Sequence, residues 1–487
     1  MKSKFFFLLL AGFSLSYAVS AASEMPNIVL IMSDDQGWGE TGYNGHPHVK
    51  TPVLDKMAAT GLRLDRFYAA SPVCTPTRAS VMTGRHANRS GAFSWNWSIR
   101  PREVTIAQIL QDAGYRTAHF GKWHIGAVKK ESPLSPAKMG FDEYLSHDNF
   151  YEMNPVLSRN GHPPERLEGE GSAVVVNEAL KFARKAHGED KPFFIVIWFG
   201  SPHDPYSGLK KDTDLYEYLG APLGHRFAEI TAMDRAVGTF RSGLDELMVR
   251  DNTLLWFNSD NGITHEGIPE EQMKDLVNGG LRGKKGQLFE GGLMVPCIIE
   301  WPDVIKSHRS SSVATVTSDI LPTILDLLGL KHPFPDRPLD GLSLKKLIVD
   351  DSMTERPTPI GSWKYDNKPE RSGEPWIADQ SVNRMITMTS RQQARRDKGD
   401  YSNPDYFLNF KHPKIRKNIT DPAVWIDNRF KLVVEKKERK PKLYDLIEDR
   451  AESNDISSVH PEVVRRMKKE LEAWQQSVEK SLTGADY

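Results

Sequence analysis

Short apolar runs alternate along the chain with longer segments of helical periodicity. Apolar runs of strand length that end in turn-forming residues predict buried strands. The strand candidates are residues 27–32, 192–199 and 253–257. The segments with helical spacing are residues 52–60, 105–113, 173–186 and 226–247. Strands that alternate with helices predict a layered α/β fold, in which helices cover both faces of a large, mixed but mainly parallel sheet.

The chain changes character from about residue 358 onwards. It is rich in proline and basic residues as far as residue 417, and strand-like patterns then cover residues 423–435 and 442–446. A segment with helical spacing follows at residues 461–477. We therefore predict a main domain over residues 23–360 and a smaller α+β subdomain with a short antiparallel sheet over residues 361–487.

The first 22 residues have the pattern of a secretory signal peptide. Two lysines precede an apolar run over residues 5–15, and small residues follow at positions 20–22. The apolar run is shorter than the roughly 20 residues that a membrane-spanning helix needs. The sequence thus predicts an exported protein without a stable membrane anchor.

Charge and cysteine content indicate which partners and which cellular location to expect. The 487 residues include 64 lysines and arginines and 64 aspartates and glutamates, so the formal net charge is zero. This balance argues against nucleic acid as a partner, because nucleic-acid-binding proteins present a basic excess or a basic face. Only Cys74 and Cys297 are present. Export without a disulfide framework suits a bacterial periplasm, with secretion as the alternative.

A polar cluster follows each of the three predicted strands. The clusters are SDDQG at residues 33–37, SPHDP at 201–205 and SDNG at 259–262. Ligands of open α/β sheets bind outside the carboxyl ends of the strands, so we expect the three clusters to form one site. The oxygen donors are Asp34, Asp35, Asp260 and Asn261. Adjacent acids also begin turns, but four such donors together favour a hard cation, with calcium preferred over zinc and magnesium left open.

The sequence CTPTR at residues 74–78 precedes a helix-compatible stretch, ASVMTGR. A thiol at a helix start lies near unpaired backbone N–H groups, which favour an anion there. The alternative is a small buried core residue. Together, CTPTR and ASVMTGR resemble the modification signature of type I sulfatases in the alkaline phosphatase superfamily, in which this cysteine is oxidised to formylglycine.

Further motifs extend the resemblance over nearly the whole mature chain. DDQGWGE and SDNG resemble the metal motifs of these sulfatases. The resemblance implies one Ca²⁺ per chain, and its ligands would be Asp34, Asp35, Asp260, Asn261 and the modified residue 74. It also implies a formylglycine-generating enzyme or maturase as a biosynthetic partner. Conversion of Cys74 would leave Cys297 without a disulfide partner.

Three motifs resemble those that bind sulfate and transfer protons in the family. They are GKWHIG, SPHDPY and LRGKKGQLFEGG. The resemblance implies that Lys122 clamps the sulfate, that His124 assists the aldehyde hydrate and that Arg78 orients residue 74. It also implies that His203 and Lys285 protonate the leaving alcohol. Without the resemblance, these groups read as solvated lysines and packing or surface histidines.

The resemblance implies a sulfuric ester hydrolase, and softer features suggest its substrate. Aromatic faces stack on sugar rings, and arginine forks bind carboxylates and sulfates. The candidate sugar-binding residues are Trp95, Trp97, Arg100, Arg102 and residues 147–166. A basic run at 391–417 reads equally well as a solvated loop or as a rim that attracts a polyanion. We expect a sulfated poly- or oligosaccharide, such as ulvan or carrageenan.

Two other functions are compatible with the same motifs. Some members of the superfamily that carry the formylglycine motif act at phosphorus, so a phosphonate or phosphate ester hydrolase is one alternative. The other is a glycan-binding pseudoenzyme in which Cys74 stays unconverted.

Overall fold

The computed structural model describes residues 25–151, 153–365, 374–400, 405–411, 422–435 and 440–487. The predicted signal peptide lies outside these residues, as do parts of the basic run, residues 401–404 and 412–417. No helix among the described residues is long and apolar enough to cross a membrane.

Sixteen strands and twelve α-helices make up the regular structure of the described residues. The strands are β1 (Asn27–Ser33), β2 (Leu62–Leu64), β3 (Phe67–Tyr68), β4 (Arg116–Lys122), β5 (Glu143–His147), β6 (Val156–Arg159), β7 (Glu165–Arg166), β8 (Phe193–Trp198), β9 (Thr253–Ser259), β10 (Cys297–Glu300), β11 (Arg309–Ser311), β12 (Thr315–Val316), β13 (Ile360–Trp363), β14 (Ala423–Ile426), β15 (Phe430–Val434) and β16 (Lys442–Asp445). The helices are α1 (Pro52–Thr60), α2 (Cys74–Thr83), α3 (Ala87–Ser90), α4 (Ile106–Asp112), α5 (Gly171–Gly188), α6 (Lys210–Thr213), α7 (Leu223–Glu246), α8 (Glu290–Leu293), α9 (Ile320–Leu328), α10 (Lys345–Val349), α11 (Ser390–Asp397) and α12 (Pro461–Leu482).

A ten-stranded mixed sheet forms the centre of the protein. Its strand order is β11-β2-β10-β9-β1-β8-β4-β5-β6-β7. The five central strands, from β9 to β5, are all parallel, whereas β10 and β6 pair with their neighbours in antiparallel fashion. The three predicted buried strands are the three adjacent strands β9, β1 and β8. This arrangement confirms the mixed, mainly parallel sheet.

Strand β1 shows why helices cover both faces of the sheet. All seven of its residues are buried, and alternate side chains enter different cores. Ile28 and Leu30 pack on the side of α2, α4 and α9, and Val29 and Ile31 pack on the side of α1, α5 and α7. A strand that is apolar on both faces needs a helical layer on each, as the continuous apolar runs predict.

The C-terminal part adds a second, smaller layer. Strands β13 to β16 form a four-stranded antiparallel sheet, which confirms the predicted small sheet. The predicted strand at 423–435 is two strands, because residues 427–429 turn the chain back. Val424 and Ile426 pack against the main domain, and Trp425 on the other face packs with Leu471 of α12.

Candidate active site

The three polar clusters lie together at the carboxyl edge of the main sheet. Strands β8, β1 and β9 are adjacent and parallel, so the residues that follow them emerge side by side. The backbone N–H of Asp35 donates to Oδ1 of Asp260 at 3.0 Å, and Nδ2 of Asn261 donates to Oδ1 of Asp35 at 2.8 Å. Residues about 225 positions apart in the sequence thus form one buried hydrogen-bonded cluster.

Three cations meet the three carboxylates of this cluster. Nζ of Lys122 lies 2.6 Å from Oδ2 of Asp34, and Nζ of Lys285 lies 2.7 Å from Oδ2 of Asp35. The third pair joins Arg78 to Oδ2 of Asp260 at 2.8 Å. The side chains of Arg78, Lys122 and all three aspartates are completely buried. Charges that are removed from water in this way need partners, and here they supply one another.

The donor set fits a hard cation. No described residue donates a hydrogen bond to Oδ1 of Asp34 or to Oδ1 of Asn261, although both atoms are buried. Burial, and next the charge of Asp34, raise the pKa of Asp260 to about 7. Carboxylates that repel one another and oxygens that lack donors are features that a divalent ion with oxygen ligands would satisfy.

The geometry does not single out the expected ligand set. The acidic and imidazole groups whose ligand atoms lie within 4.8 Å of one another are Asp34, Asp35 and His203. Asp260 and Cys74 are outside that group. Both oxygens of Asp260 already accept hydrogen bonds, from the backbone of Asp35 and from Arg78. The unpartnered oxygens favour Asp34 and Asn261, and the proposed ligand set is taken up below.

Cys74 is the first residue of α2, as the sequence predicts, but its thiol is not activated. The residue is only 3% exposed, and burial raises the pKa of the thiol despite the nearby cations of Lys122 and Lys285. Burial thus opposes the anion that the helix start is expected to favour on this sulfur. An unmodified Cys74 is a neutral thiol and a poor nucleophile.

His124 faces the same site as a neutral base. Burial, and next the charges of Lys122 and Arg78, hold its pKa well below the usual 6.5. Neither ring nitrogen has a hydrogen-bond partner among the described residues. The backbone has a positive φ of 57°, and the carbonyl accepts a hydrogen bond from the Thr75 hydroxyl at 2.9 Å. The imidazole is thus held beside α2 with both nitrogens free for a reactant.

His203 and Lys285 form a pair on the Asp35 side of the site. Their Nε2 and Nζ atoms are 3.2 Å apart. Nδ1 of His203 lies 2.7 Å from the carbonyl oxygen of Asp204, which assigns the proton to Nδ1 and leaves Nε2 as the acceptor for Lys285. Burial, and next the Lys285 charge, lower the pKa of His203. Asp35 raises the pKa of Lys285 although burial opposes the charge, so the proton of this pair resides on the ammonium.

The loop that carries Lys285 is fixed by close backbone packing. The N–H of Lys285 donates to the carbonyl of Ile263 at 2.8 Å, and the N–H of Gly262 donates to the carbonyl of Gly292 at 3.0 Å. A Cβ atom at Gly262 would overlap the carbonyl oxygen of Gly291. The glycines of the SDNG and EGG motifs therefore permit the approach that brings Lys285 to Asp35.

The side chain of Arg226 also contributes to the site, although no sequence motif points to it. Arg226 of α7 is completely buried and pairs with Glu40 through two contacts of 2.7 and 2.6 Å. The same guanidinium donates to the carbonyl of Asp35 at 2.8 Å and to that of Pro202 at 2.9 Å. It thus ties the loop after β1 to the loop after β8. Only its place in a predicted helix was recognisable from the sequence.

Some of the candidate sugar-binding residues are buried in the structure, and others are exposed. Trp97 is completely buried, and Arg100 is 6% exposed with its guanidinium over the rings of Trp376 and Tyr487. These two residues are structural, and the expectation that they contact sugar is wrong. Trp95 is 50% exposed and Arg102 is exposed. Of segment 147–166, Phe150 stacks on His203 with ring centres 4.3 Å apart.

A mainly parallel sheet lies between helical layers, and its polar residues are gathered at the edge where open α/β folds bind their ligands. The chain belongs to the sulfatase family, whose sequence model matches residues 26–330. It is therefore an enzyme of the sulfuric ester hydrolase class.

One relative in sequence and two solved structures show what this chain is similar to. The chain is 32% identical to N-acetylgalactosamine-6-sulfatase of Mus musculus over 389 residues, which cover 72% of this chain and 71% of the mouse protein. The crystal structure of Ps i-CgsB in complex with k-i-k-neocarrahexaose shares the fold with a TM-score of 0.76, 22% identity and 93% of each chain covered. The phosphonate monoester hydrolase of Agrobacterium radiobacter also shares it, with a TM-score of 0.60, 19% identity and coverage of 93% of this chain and 96% of that one.

Proposed function

We propose that this sulfatase removes sulfate from a sulfated carbohydrate, with formylglycine at position 74 as the nucleophile and one Ca²⁺ in the site. The observation that carries the proposal is the burial of Cys74 at the start of α2, where the charges of Lys122, Lys285, Asp260 and Asp34 act on it. A buried, neutral thiol among these charges has no evident use as it stands. Conversion of this thiol to an aldehyde by a maturase would make residue 74 the nucleophile of the reaction.

A hydrated aldehyde solves the problem of product release. A serine that attacked sulfur would remain as a stable sulfate ester, whereas the hydrate carries two hydroxyls on one carbon. One hydroxyl loses its proton to solvent water and attacks sulfur, while the bond from sulfur to the alcohol oxygen breaks and the bonding electron pair leaves on that oxygen. The second hydroxyl then loses its proton, the carbonyl reforms and sulfate departs. Residue 74 returns to the aldehyde and takes up water.

The side chains divide the proton transfers between them. The high pKa of Lys285 and the low pKa of His203 make Lys285 the donor to the leaving oxygen, with Nε2 of His203 taking part in the relay. Neutral His124 accepts the proton of the second hydroxyl. Lys122 and Arg78 stabilise the negative charge that develops on the sulfuryl group.

Asp34, Asp35, Asp260, Asn261 and residue 74 would hold the calcium ion. When bound, it would screen the sulfate oxygens and lower the pKa of the attacking hydroxyl. The unpartnered oxygens of Asp34 and Asn261 support this assignment. The preference for calcium over magnesium rests on the number of oxygen donors and on the motif resemblance.

The substrate and setting belong to the same proposal. Ulvan and carrageenan oligosaccharides are the first candidates. The name of the mouse relative adds 6-sulfated N-acetylgalactosamine as a second class. We also propose that residues 1–22 direct export to the periplasm, that residues 23–360 form the catalytic domain and that residues 361–487 form the C-terminal subdomain.

The test is a substrate panel with protein that has been coexpressed with a maturase. The panel contains 4-nitrophenyl sulfate, 4-nitrophenyl phosphate, carrageenan and ulvan oligosaccharides and N-acetylgalactosamine 6-sulfate, with released sulfate measured by ion chromatography. We expect sulfate release, and none from Cys74→Ala. Faster turnover of 4-nitrophenyl phosphate would indicate the phosphoester alternative. An unconverted thiol in protein from the native host, found by peptide mass analysis, would indicate the pseudoenzyme.

A further inference from the structure

The position of the proton donors indicates where the sugar must lie. In a displacement at sulfur the leaving oxygen departs on the side opposite to the nucleophile, so the alcohol lies beside His203 and Lys285 rather than beside residue 74. The ring of Phe150 stacks on His203 with an angle of 17° between the two planes. Phe150 therefore lies next to the group that faces the leaving oxygen.

A cleft of about 680 Å³ begins at the residue after Phe150. It lies between segment 147–166 and helix α11 of the C-terminal part. A volume between about 300 and 1,000 Å³ is typical of sites for small organic ligands. The residues used below are Tyr151 and Arg166 on one wall and Gln393, Ala394 and Asp397 of α11 on the other.

Both walls of the cleft are attached to the catalytic residues. His147, at the end of β5, is the register partner of Lys122 in β4. On the α11 side, Arg391 donates to Oδ2 of Asp204 at 2.7 Å, and Asp204 follows His203 directly in the chain. The cleft is thus a neighbour of the leaving-group side of the site.

Arg166 gives the cleft its charge preference. It is the only arginine or lysine among the described residues that line the cleft. It is exposed, and none of the described carboxylates forms an ion pair with it. Asp397 is the only lining carboxylate, and it accepts a hydrogen bond from Gln393 at 2.8 Å. One nitrogen of the Arg166 guanidinium donates to the carbonyl of Asn154 at 3.4 Å. A guanidinium without a carboxylate partner is suited to a sulfate or carboxylate, which it can bind through two parallel hydrogen bonds.

We propose that this cleft binds the sugar unit adjacent to the one that carries the scissile sulfate, with Arg166 paired to an anionic group on that unit. The proposal rests on the proposed function and narrows its substrate to oligosaccharides with a second negative charge. That charge is a second sulfate in carrageenan oligosaccharides and a uronate carboxylate in ulvan oligosaccharides. The two sources are separate arms of the test.

The test compares kcat/KM on each oligosaccharide with kcat/KM on 4-nitrophenyl sulfate, which has no second sugar unit to occupy the cleft. Arg166→Gln removes the positive charge, and Arg166→Lys keeps the charge but cannot form two parallel hydrogen bonds. Ala394→Trp fills the cleft from an exposed position on α11. Arg465→Gln is the matched control, since Arg465 is an exposed arginine of α12 that does not line the cleft.

We expect Arg166→Gln and Ala394→Trp to lower the ratio of the two kcat/KM values at least about tenfold, which is a difference of about 1.4 kcal/mol in transition-state binding. Arg166→Lys should lose less, and Arg465→Gln should keep the wild-type ratio. Unchanged ratios in both cleft variants would overturn the proposal. Turnover of 4-nitrophenyl sulfate without desulfation of any oligosaccharide would also overturn it and leave the sulfatase assignment intact.

A binding measurement separates the cleft from the chemistry. Cys74→Ala protein is run through gels that contain carrageenan or ulvan, with and without the additional Arg166→Gln substitution. The proposal predicts that the substitution weakens the retardation of the protein. Equal retardation of the two proteins in both gels would refute the cleft even if matured wild-type protein showed no turnover.

Discussion

The buried pair of Arg226 and Glu40 allows a quantitative test of how the site is held. Both side chains are completely buried, and two of the guanidinium nitrogens also donate to the carbonyls of Asp35 and Pro202. Arg226→Met leaves the Glu40 carboxylate buried without its partner, and Glu40→Gln leaves the guanidinium in the same condition. The double variant, Arg226→Met with Glu40→Gln, removes both charges. The amide oxygen of the new glutamine can still accept a hydrogen bond from the N–H of Gly37, as the Glu40 carboxylate does at 2.7 Å.

The three variants should differ in a characteristic way. An unpaired buried charge costs about 3–5 kcal/mol of unfolding free energy, so the two single effects would sum to roughly 6–10 kcal/mol. The double variant loses the two bonds to carbonyl groups, at about 1 kcal/mol each, and should be destabilised by only about 2 kcal/mol. This recovery of stability should not restore function, because the carbonyl of Asp35 no longer has its anchor.

Urea unfolding measures stability, calorimetry with Ca²⁺ measures metal affinity, and 4-nitrophenyl sulfate measures kcat/KM. We expect the double variant to regain most of the stability but to keep a reduced affinity for Ca²⁺ and a kcat/KM at least about tenfold below that of the wild type. Arg241→Met is the matched control, because Arg241 is a buried arginine of the same helix whose partner, Glu300, lies away from the site. If the destabilisation of the double variant equalled the sum of the two single effects, Arg226 and Glu40 would not be compensating each other's charge. If the double variant bound Ca²⁺ as tightly as the wild type, Arg226 would not be positioning Asp35.

Three further outcomes are expected. Lys285→Ala should slow sugar sulfates about a hundredfold but 4-nitrophenyl sulfate much less, since an acidic phenol leaves without a proton; equal losses would contradict its role as donor. Burial opposes ionisation of Asp340, but the Arg89 charge lowers its pKa from 3.8 to about 2, so this carboxylate should contribute about 2 kcal/mol above pH 4 that is lost as pH falls towards 2. Asp340→Asn should flatten urea-unfolding stability over that window, and an unchanged pH profile would count against the assignment. Ca²⁺ at a hundred times its Kd should stabilise chelated protein by about 2.7 kcal/mol in thermal scans, and equal stabilisation by Mg²⁺ at the same concentration would argue against calcium.

The sheet and its catalytic edge were predictable because both depend on local pattern. A strand that is buried on both faces must be apolar throughout, so β1, β8 and β9 were recognisable, and their parallel order brings the polar residues that follow them together. The contacts of arginines were not predictable. Arg226 in a helical segment has the same local pattern as a solvated arginine, and its partner Glu40 is 186 positions away.

The predictions that failed also depended on contacts between residues that are distant in the sequence. Trp97 and Arg100 carry the side chains that bind sugars, but the same rings and guanidinium groups also stack on one another inside a protein. The ring of Tyr487, on which the Arg100 guanidinium lies, is far away in the sequence. The helix start at Cys74 was predictable, yet the pKa of the thiol depends on how deeply α2 is buried, and every residue of α2 is buried.

The charges of the site explain why a divalent cation and an anionic substrate would be required together. When Asp34, Asp35 and Asp260 are all ionised, three carboxylates face three cations and both histidines are neutral, so the protein then contributes no net charge. In this condition Lys122 and Lys285 are bonded to aspartates and are not free to bind sulfate. A divalent ion on the aspartates would free both lysines and leave the site with two positive charges. A sulfate monoester supplies one negative charge, and the proton lost by the attacking hydroxyl supplies another. Charge neutrality is then reached only as the transition state forms, and for that reason these groups would stabilise the transition state more than the bound substrate.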